Sequence, residues 1–203
     1  MSTVNSLTCE DLGSAAQRDR RKRILDSTIA LASGGGFEAV QMRTVAERAD
    51  VALGTLYRYF PSKIHLLVSA LAREFEQVQA TYDRKPIPGE TAQDRVLHVL
   101  GRATRSLQRD PNLTEALTRA FVFADASVAN EIHVVGTQVV HMLLRAMRDP
   151  GRPSSPEPTE EQVAIARVIG DVWFARLVQW VTGRASAADV ADSIDVAVRL
   201  LLR

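Results

Sequence analysis

A chain of 203 residues, 46% hydrophobic and 24% charged, has the makeup of a folded protein with a sizeable core, in one large domain or two small ones. Its net charge of +1 singles out no class of partner, and its one cysteine, Cys9, excludes a disulfide scaffold. No segment approaches the roughly 18 uninterrupted apolar residues of a transmembrane helix and the N-terminus lacks a signal-peptide run, so a cytoplasmic protein is expected.

Apolar residues recur at helical spacing nearly throughout, with no convincing alternating strand, so the expected fold is all-α with about nine helices. Residues 1–13 read as a disordered tail. A first helix runs from about Ser14 to Ser33 and stops at Gly34-Gly35-Gly36. A second spans roughly Met42 to Ala49, with Met42, Val45, Ala46 and Ala49 on one narrow buried stripe. A tight turn at Asp50-Val51-Ala52 leads to a third helix, Leu53 to Phe60, which Pro61 ends. Ser62 then caps a long fourth helix that reaches about Arg84.

Further helices follow near 90–109, 111–124, 127–148, 159–183 and 186–202. Pro111 suits a first helical turn, and Thr159 with Gln162 forms a capping-box pattern. Four of the eight prolines fall in the loop DPGRPSSPEP, 149–158. The expected organisation is a three-helix head over 14–61, joined by one long helix to a helical body over 62–203.

Charge is unevenly divided between these parts. Residues 14–63 hold nine Lys and Arg against five Asp and Glu, and the rest of the chain holds sixteen against nineteen. A basic head on a mildly acidic body points the head at an anionic partner. Five of those positive charges sit in RDRRKR, 18–23, where Arg18, Arg20, Arg21 and Lys22 can reach phosphate or a minor groove. Such a run is more often a solvated face. A short helix pair is likewise often mere packing, but the two occur here in order and close together.

Two short helices joined by a three-residue turn are the layout of a DNA-binding helix-turn-helix. In VALGTLYRYFPSK, 51–63, Leu56 and Phe60 stand at i and i+4 and can anchor the third helix in the head's core. Leu53, Gly54, Thr55, Tyr57, Arg58 and Tyr59 are left for DNA, with Arg43 and Thr44 from the second helix. One of the two tyrosines can be a half-buried core aromatic. Lys63, at a helix N-terminus, can meet phosphate from the other side.

AERADVALGTLYRYFPSK resembles the helix-turn-helix signature of the TetR family of transcriptional repressors, through Val45-Ala46, Ala49, Val51, Gly54-Thr55-Leu56-Tyr57, Tyr59-Phe60 and Ser62-Lys63. Asp50 stands where the family often has Gly, at a left-handed cost of up to about 1–2 kcal/mol. Ala52 stands where a Ser usually caps, giving up roughly 1 kcal/mol. The resemblance implies a homodimer on palindromic operator DNA, paired through its last two helices. Val168, Val172 and Trp180 on one and Val190, Ile194, Val198 and Leu201 on the other are the candidates, since their apolar surface is broad for one buried face. Ordinary core packing is the alternative for each.

A one-component regulator also needs a site for a hydrophobic small-molecule effector. Candidate lining residues are Leu97, Leu100, Thr104, Leu117, Phe121, Val122, Val139, Met142, Leu143, Trp173 and Leu177, each equally readable as core. Arg102, Arg105, Arg109 and Arg119 can bind an effector's phosphates or simply be solvated. No cofactor, metal or membrane partner is expected. From about Ala15 onward the chain is also similar to the actinobacterial members of the family that repress cholesterol catabolism. That resemblance implies release by a steroid carried as a coenzyme A thioester, or by a related acyl-CoA. A regulator of efflux or fatty-acid genes keeps the family and changes the ligand. A helical-bundle enzyme is the remote alternative, because His65, His98, His133 and His141 lack paired carboxylates at di-metal spacing.

Overall fold

The computed structural model describes residues 9–83, 86–148 and 157–202, and among them every regular element is helical. The order is α1 (Cys9–Ala39), α2 (Met42–Arg48), α3 (Leu53–Tyr59), α4 (Lys63–Asp83), α5 (Ala92–Arg109), α6 (Pro111–Val122), a 3₁₀ turn (Ala126–Val128), α7 (Ala129–Met147), α8 (Glu160–Val181) and α9 (Ala187–Leu201).

The start of α1 differs from the sequence expectation. Residues 9–13, read as part of a disordered tail, are helical, and 1–8 lie outside the described residues. The glycine triplet stops the first helix as expected, with non-helical dihedrals at Gly35 and Gly36, and a short second helical stretch, counted with α1, follows that kink to Ala39. Gly36 has φ 67°, and a Cβ there would lie 2.9 Å from Glu115 Oε2, so only glycine suits the position. The proline-rich loop at 149–158 lies outside the described residues over 149–156.

Local chemistry sets most helix starts. Thr91 with Asp94, Thr159 with Gln162 and Ser186 with Asp189 each close a capping box. Asp110 accepts from Leu113 N at 2.9 Å while Pro111 fills the first turn of α6. Arg95, buried on α5, donates to the Ala146 carbonyl at the end of α7 and to the carbonyls of Gly89 and Glu90.

Two cores form. One runs without a break from the head (Ile24, Leu25, Val45, Leu56, Phe60) along α4 to Ala116, Leu117 and Ala120 of α6. The other joins α5, α7, α8 and α9 around Val99, Leu100, Leu143, Ile169, Trp173 and Ile194. The head is therefore seated on α6 as well as carried by α4.

Candidate DNA-binding surface and cavity

α3 divides its residues as the i, i+4 spacing requires. Leu56 and Phe60 are buried at 0% and 2% exposure, while Tyr57 stands 46% exposed beside exposed Leu53, Gly54 and Arg58. Thr55 is half-buried. So is Tyr59, which packs on the head core with its ring 6.3 Å from that of Phe60 and the Arg58 guanidinium 6.0 Å away. Tyr59 is thus the tyrosine shared with the core. On α2, Thr44 is exposed and Arg43 pairs with Glu47 at 3.0 Å.

The turn shows both departures from the family pattern. Asp50 has φ 52°, the one non-glycine residue with positive φ among those described. Its conformation lets Val51 N reach the Ala46 carbonyl at 3.0 Å and close the turn. Ala52, in extended conformation, supplies no side-chain cap; its carbonyl alone accepts from Thr55 N and Leu56 N.

Along α1, Arg18, Arg21 and Lys22 are exposed and Arg20 is half-buried. Lys22 bonds Asp26 at 2.8 Å, and Arg73 of α4 meets the same carboxylate at 2.8 Å. The Lys22 hydrogen bond, chiefly, holds the Asp26 carboxyl below its ordinary value. Arg21 lies 5.6 Å from the Phe60 ring, which brings it to the end of α3. Lys63 is less free than a helix N-terminus suggests. Its ammonium sits 3.8 Å from the centre of the Phe37 ring, and burial pulls its pKa down.

A cavity of about 1020 Å³ opens between α4, α6, α7 and α8. Leu117, Phe121, Val139, Met142, Trp173 and Leu177 line it. Leu97, Leu100, Thr104, Val122 and Leu143 do not. Leu100 and Leu143 are fully buried in the second core and Leu97 packs against it. Thr104 is spent on Trp173 Nε1 at 3.0 Å, and Val122 is turned out to solvent. Sequence reasoning missed α4, which contributes Leu71, Phe75 and Gln79, and a polar stripe on α7 at His133, Thr137, His141 and Arg145. The four-residue steps of that stripe were the available signal.

The arginines at the cavity are also different ones. Arg145 and Arg148 at the end of α7 and Arg167 on α8 line it, with Glu157 and Asp171 as the acids among them. Arg102, Arg105 and Arg109 are exposed elsewhere, and Arg119 pairs with Glu38 and Glu115. His65 is a strut: its Nε2 donates to the Ser127 carbonyl at 3.0 Å and its Nδ1 lies 2.9 Å from Ser62 Oγ. Among the described residues no three His, Cys, Asp or Glu side chains cluster as a metal site, and no helix is long and apolar enough to cross a membrane.

The dimer candidates need correction on α9. Val190, Ile194 and Val198 are 0–3% exposed and belong to the protomer's own core, packed toward α5 and α8. Val196 and Leu200, at 57% and 61%, are the exposed large apolar residues of that helix. On α8, Val168 is 46% exposed, and Val172 and Trp180 are half-buried, as is Leu201.

A buried-anchor recognition helix after a four-residue turn, Ala49 to Ala52, set on a helical body with a large cavity, defines a helix-turn-helix regulator. Residues 24–70 match the model "Bacterial regulatory proteins, tetR family", and 89–201 match "Tetracyclin repressor-like, C-terminal domain". The chain is 59% identical over 202 residues to the transcriptional repressor KstR of Mycolicibacterium smegmatis, covering 100% of this chain and 96% of that protein. Against KstR of Mycobacterium tuberculosis it is 58% identical over 199 residues, or 98% and 88% of the two chains. A TetR transcriptional regulator from Rhodococcus sp. RHA1 superposes with a TM-score of 0.82 at 35% identity, over 92% of this chain and 97% of that one. Thermus thermophilus FadR, solved with lauroyl-CoA, shares the fold at a TM-score of 0.70 and 18% identity, over 90% and 93%. The chain belongs to the TetR family of transcriptional regulators.

Proposed function

We propose that this chain is a cytoplasmic, homodimeric repressor of genes for sterol or related lipid catabolism, released from a palindromic operator by a steroid or acyl-CoA thioester. Residues 14–61 form the DNA-binding domain, and 62–203 bind effector and mate. The observation that carries the effector class is the cavity, lined by Leu71, Phe75, Leu117, Phe121 and Trp173 together with Arg145, Arg148 and Arg167. About 1020 Å³ lies just above the range of about 300–1,000 Å³ usual for ligand sites, which suits a large apolar body. The arginines among its lining suit an effector's phosphates. Kinship with KstR and a fold neighbour solved with lauroyl-CoA agree with that class.

On DNA, Thr55 and Arg58 read base edges while Tyr57, Lys63, Arg43, Thr44 and the arginines of 18–23 hold phosphate. In the free dimer the two α3 helices stand about one DNA turn, roughly 34 Å, apart. Effector binds better to a state in which α4 is tilted and the heads are misplaced, so operator and effector weaken each other by the same factor. The test is a mobility-shift titration with acyl-CoAs and steroid-CoAs. Operator release is expected, and unchanged operator affinity at saturating steroid-CoA would overturn the reading.

A further inference from the structure

We propose that Glu115 is the positioning residue through which the cavity acts on the DNA-binding head, an inference that rests on the regulator reading above. α6 has two working faces. Thr114, Leu117, Thr118 and Phe121 line the cavity. Asn112, Glu115 and Arg119, on the same helix, grip the kinked end of α1. Glu115 Oε2 accepts from Phe37 N at 2.9 Å, immediately after Gly36, where the chain has left its helical hydrogen bonding. Asn112 Nδ2 donates to the Ser33 carbonyl at 3.1 Å, just before the kink. Arg119 bridges Glu38 at 3.0 Å and Glu115 at 3.6 Å, and lies 4.3 Å from the Phe37 ring that also holds Lys63.

These contacts are unequal. The Arg119 pairs are exposed and contribute little. The Glu115 bond is charge-assisted, partly buried and made to a backbone group, so it fixes the main chain of the head rather than a side chain. Gly36 closes the fit, since any side chain there would strike the Glu115 carboxylate. When an occupant displaces α6, residues 33–38 must follow or this bond must break. Following turns α1 and, through α2 packed between them, the recognition helix. The head also rests on α6 through the core it shares with Ala116, Leu117 and Ala120, and it is tied to α4 by the chain itself and by Arg73, which meets Asp26 at 2.8 Å and the Lys22 carbonyl at 3.2 Å. Removing the Glu115 carboxylate leaves that packing in place and takes away the charge-assisted hold on the main chain after the kink, so it isolates that bond's share of the coupling.

The experiment uses the full-length chain, an operator duplex followed by fluorescence anisotropy, and cholanoyl-CoA and stearoyl-CoA as probes, with tryptophan fluorescence reporting occupancy beside Trp173. In the wild type, saturating probe is expected to weaken operator binding about tenfold or more. In E115A, probe affinity stays within about threefold of wild type while the weakening falls below about threefold. E115Q, which keeps an oxygen for Phe37 N–H, recovers most of it. E115D, shorter but still charged, is expected to lose coupling too and serves if E115A is unfolded by circular dichroism. Wild-type-sized release from the folded variant overturns the proposal. If neither probe changes the wild-type fluorescence, the effector reading fails and the cavity is filled from within by T118F. That change should weaken operator binding about fivefold alone and leave it unchanged alongside E115A; no effect, or an equal effect in both backgrounds, overturns the proposal.

Discussion

The indole Nε1–H of Trp173 donates a 3.0 Å hydrogen bond to the Thr104 hydroxyl, joining α8 to α5 with both side chains buried. Trp173 also meets Phe75 of α4 edge to face, with ring centres 6.2 Å apart, so one side chain ties three helices beside the cavity. T104V leaves a buried donor without a partner, at a cost of about 1–3 kcal/mol. Thermal unfolding should show a fall of about 2–4 °C per kcal/mol, and T104S should recover most of it.

Asp50→Gly is expected to raise stability. The wild-type residue holds φ 52°, where a side chain costs about 1–2 kcal/mol and somewhat less for Asp, against the extra freedom a glycine brings to the unfolded chain. The net gain should stay below about 1 kcal/mol, or about 2–4 °C in Tm. Asp50→Val should move the midpoint the other way, because a β-branched side chain fits the left-handed region worst.

Single substitutions on α9 should separate assembly from folding. V196D or L200D places a charge on a side chain that is mostly exposed in the protomer, so light scattering should find a folded monomer with native helicity. V198D puts the charge in the core at 0% exposure and should abolish the fold instead. A persistent dimer in V196D/L200D would place the mate against another face.

The contrast between Val196 and Val198 marks where the sequence stopped being readable. Helical periodicity located the elements to within a few residues, because caps, prolines and apolar stripes are local. Which stripe of α9 faces inward depends on where α5 and α8 lie, and a short helix rich in Val, Ile and Leu carries two plausible stripes. The cavity failed for the same reason. Leu100 and Leu117 are equally apolar, and only the packing of α4 against α6 and α7 leaves space beside the second. The recognition helix was legible because its chemistry departs from core packing, with exposed Tyr57 and Arg58 between buried Leu56 and Phe60. The glycines were legible as a stop, but nothing local says that a carboxylate 78 residues beyond Phe37 will hold the amide that follows them.

Glu74 supplies a pH signature. Burial, the dominant influence, pushes its carboxyl above the ordinary 4.5, with Arg73 opposing and Asp26 adding. The folded state therefore favours the protonated form. Its contribution is fully present below pH 4.5 and is lost as pH rises through the raised folded value. E74Q should unfold at higher urea than wild type at pH 7, and the gap should close near pH 4.

At the DNA surface, Y57F and K63A should weaken binding to every sequence about equally, with K63A lowering the salt slope by about one counterion. T55A and R58A should instead change which operator bases are preferred, at about 1–3 kcal/mol per base pair lost. Anisotropy against a panel of single-base operator variants reads both. A change in base preference from K63A would contradict its phosphate role.

α4 begins at Lys63 beside the recognition helix and ends at Asp83 beyond the cavity, 21 residues in one unbroken rod. At about 1.5 Å per residue it is roughly 31 Å long. A swing of only about five degrees about its far end would carry the near end about 3 Å, the full reach of a hydrogen bond to phosphate. The helix thus acts as a lever whose length, rather than any large deformation at the cavity, sets how little motion is needed to lose the operator. Each added turn would make the same swing more disruptive, and shortening the rod would demand a larger rearrangement from the same occupant.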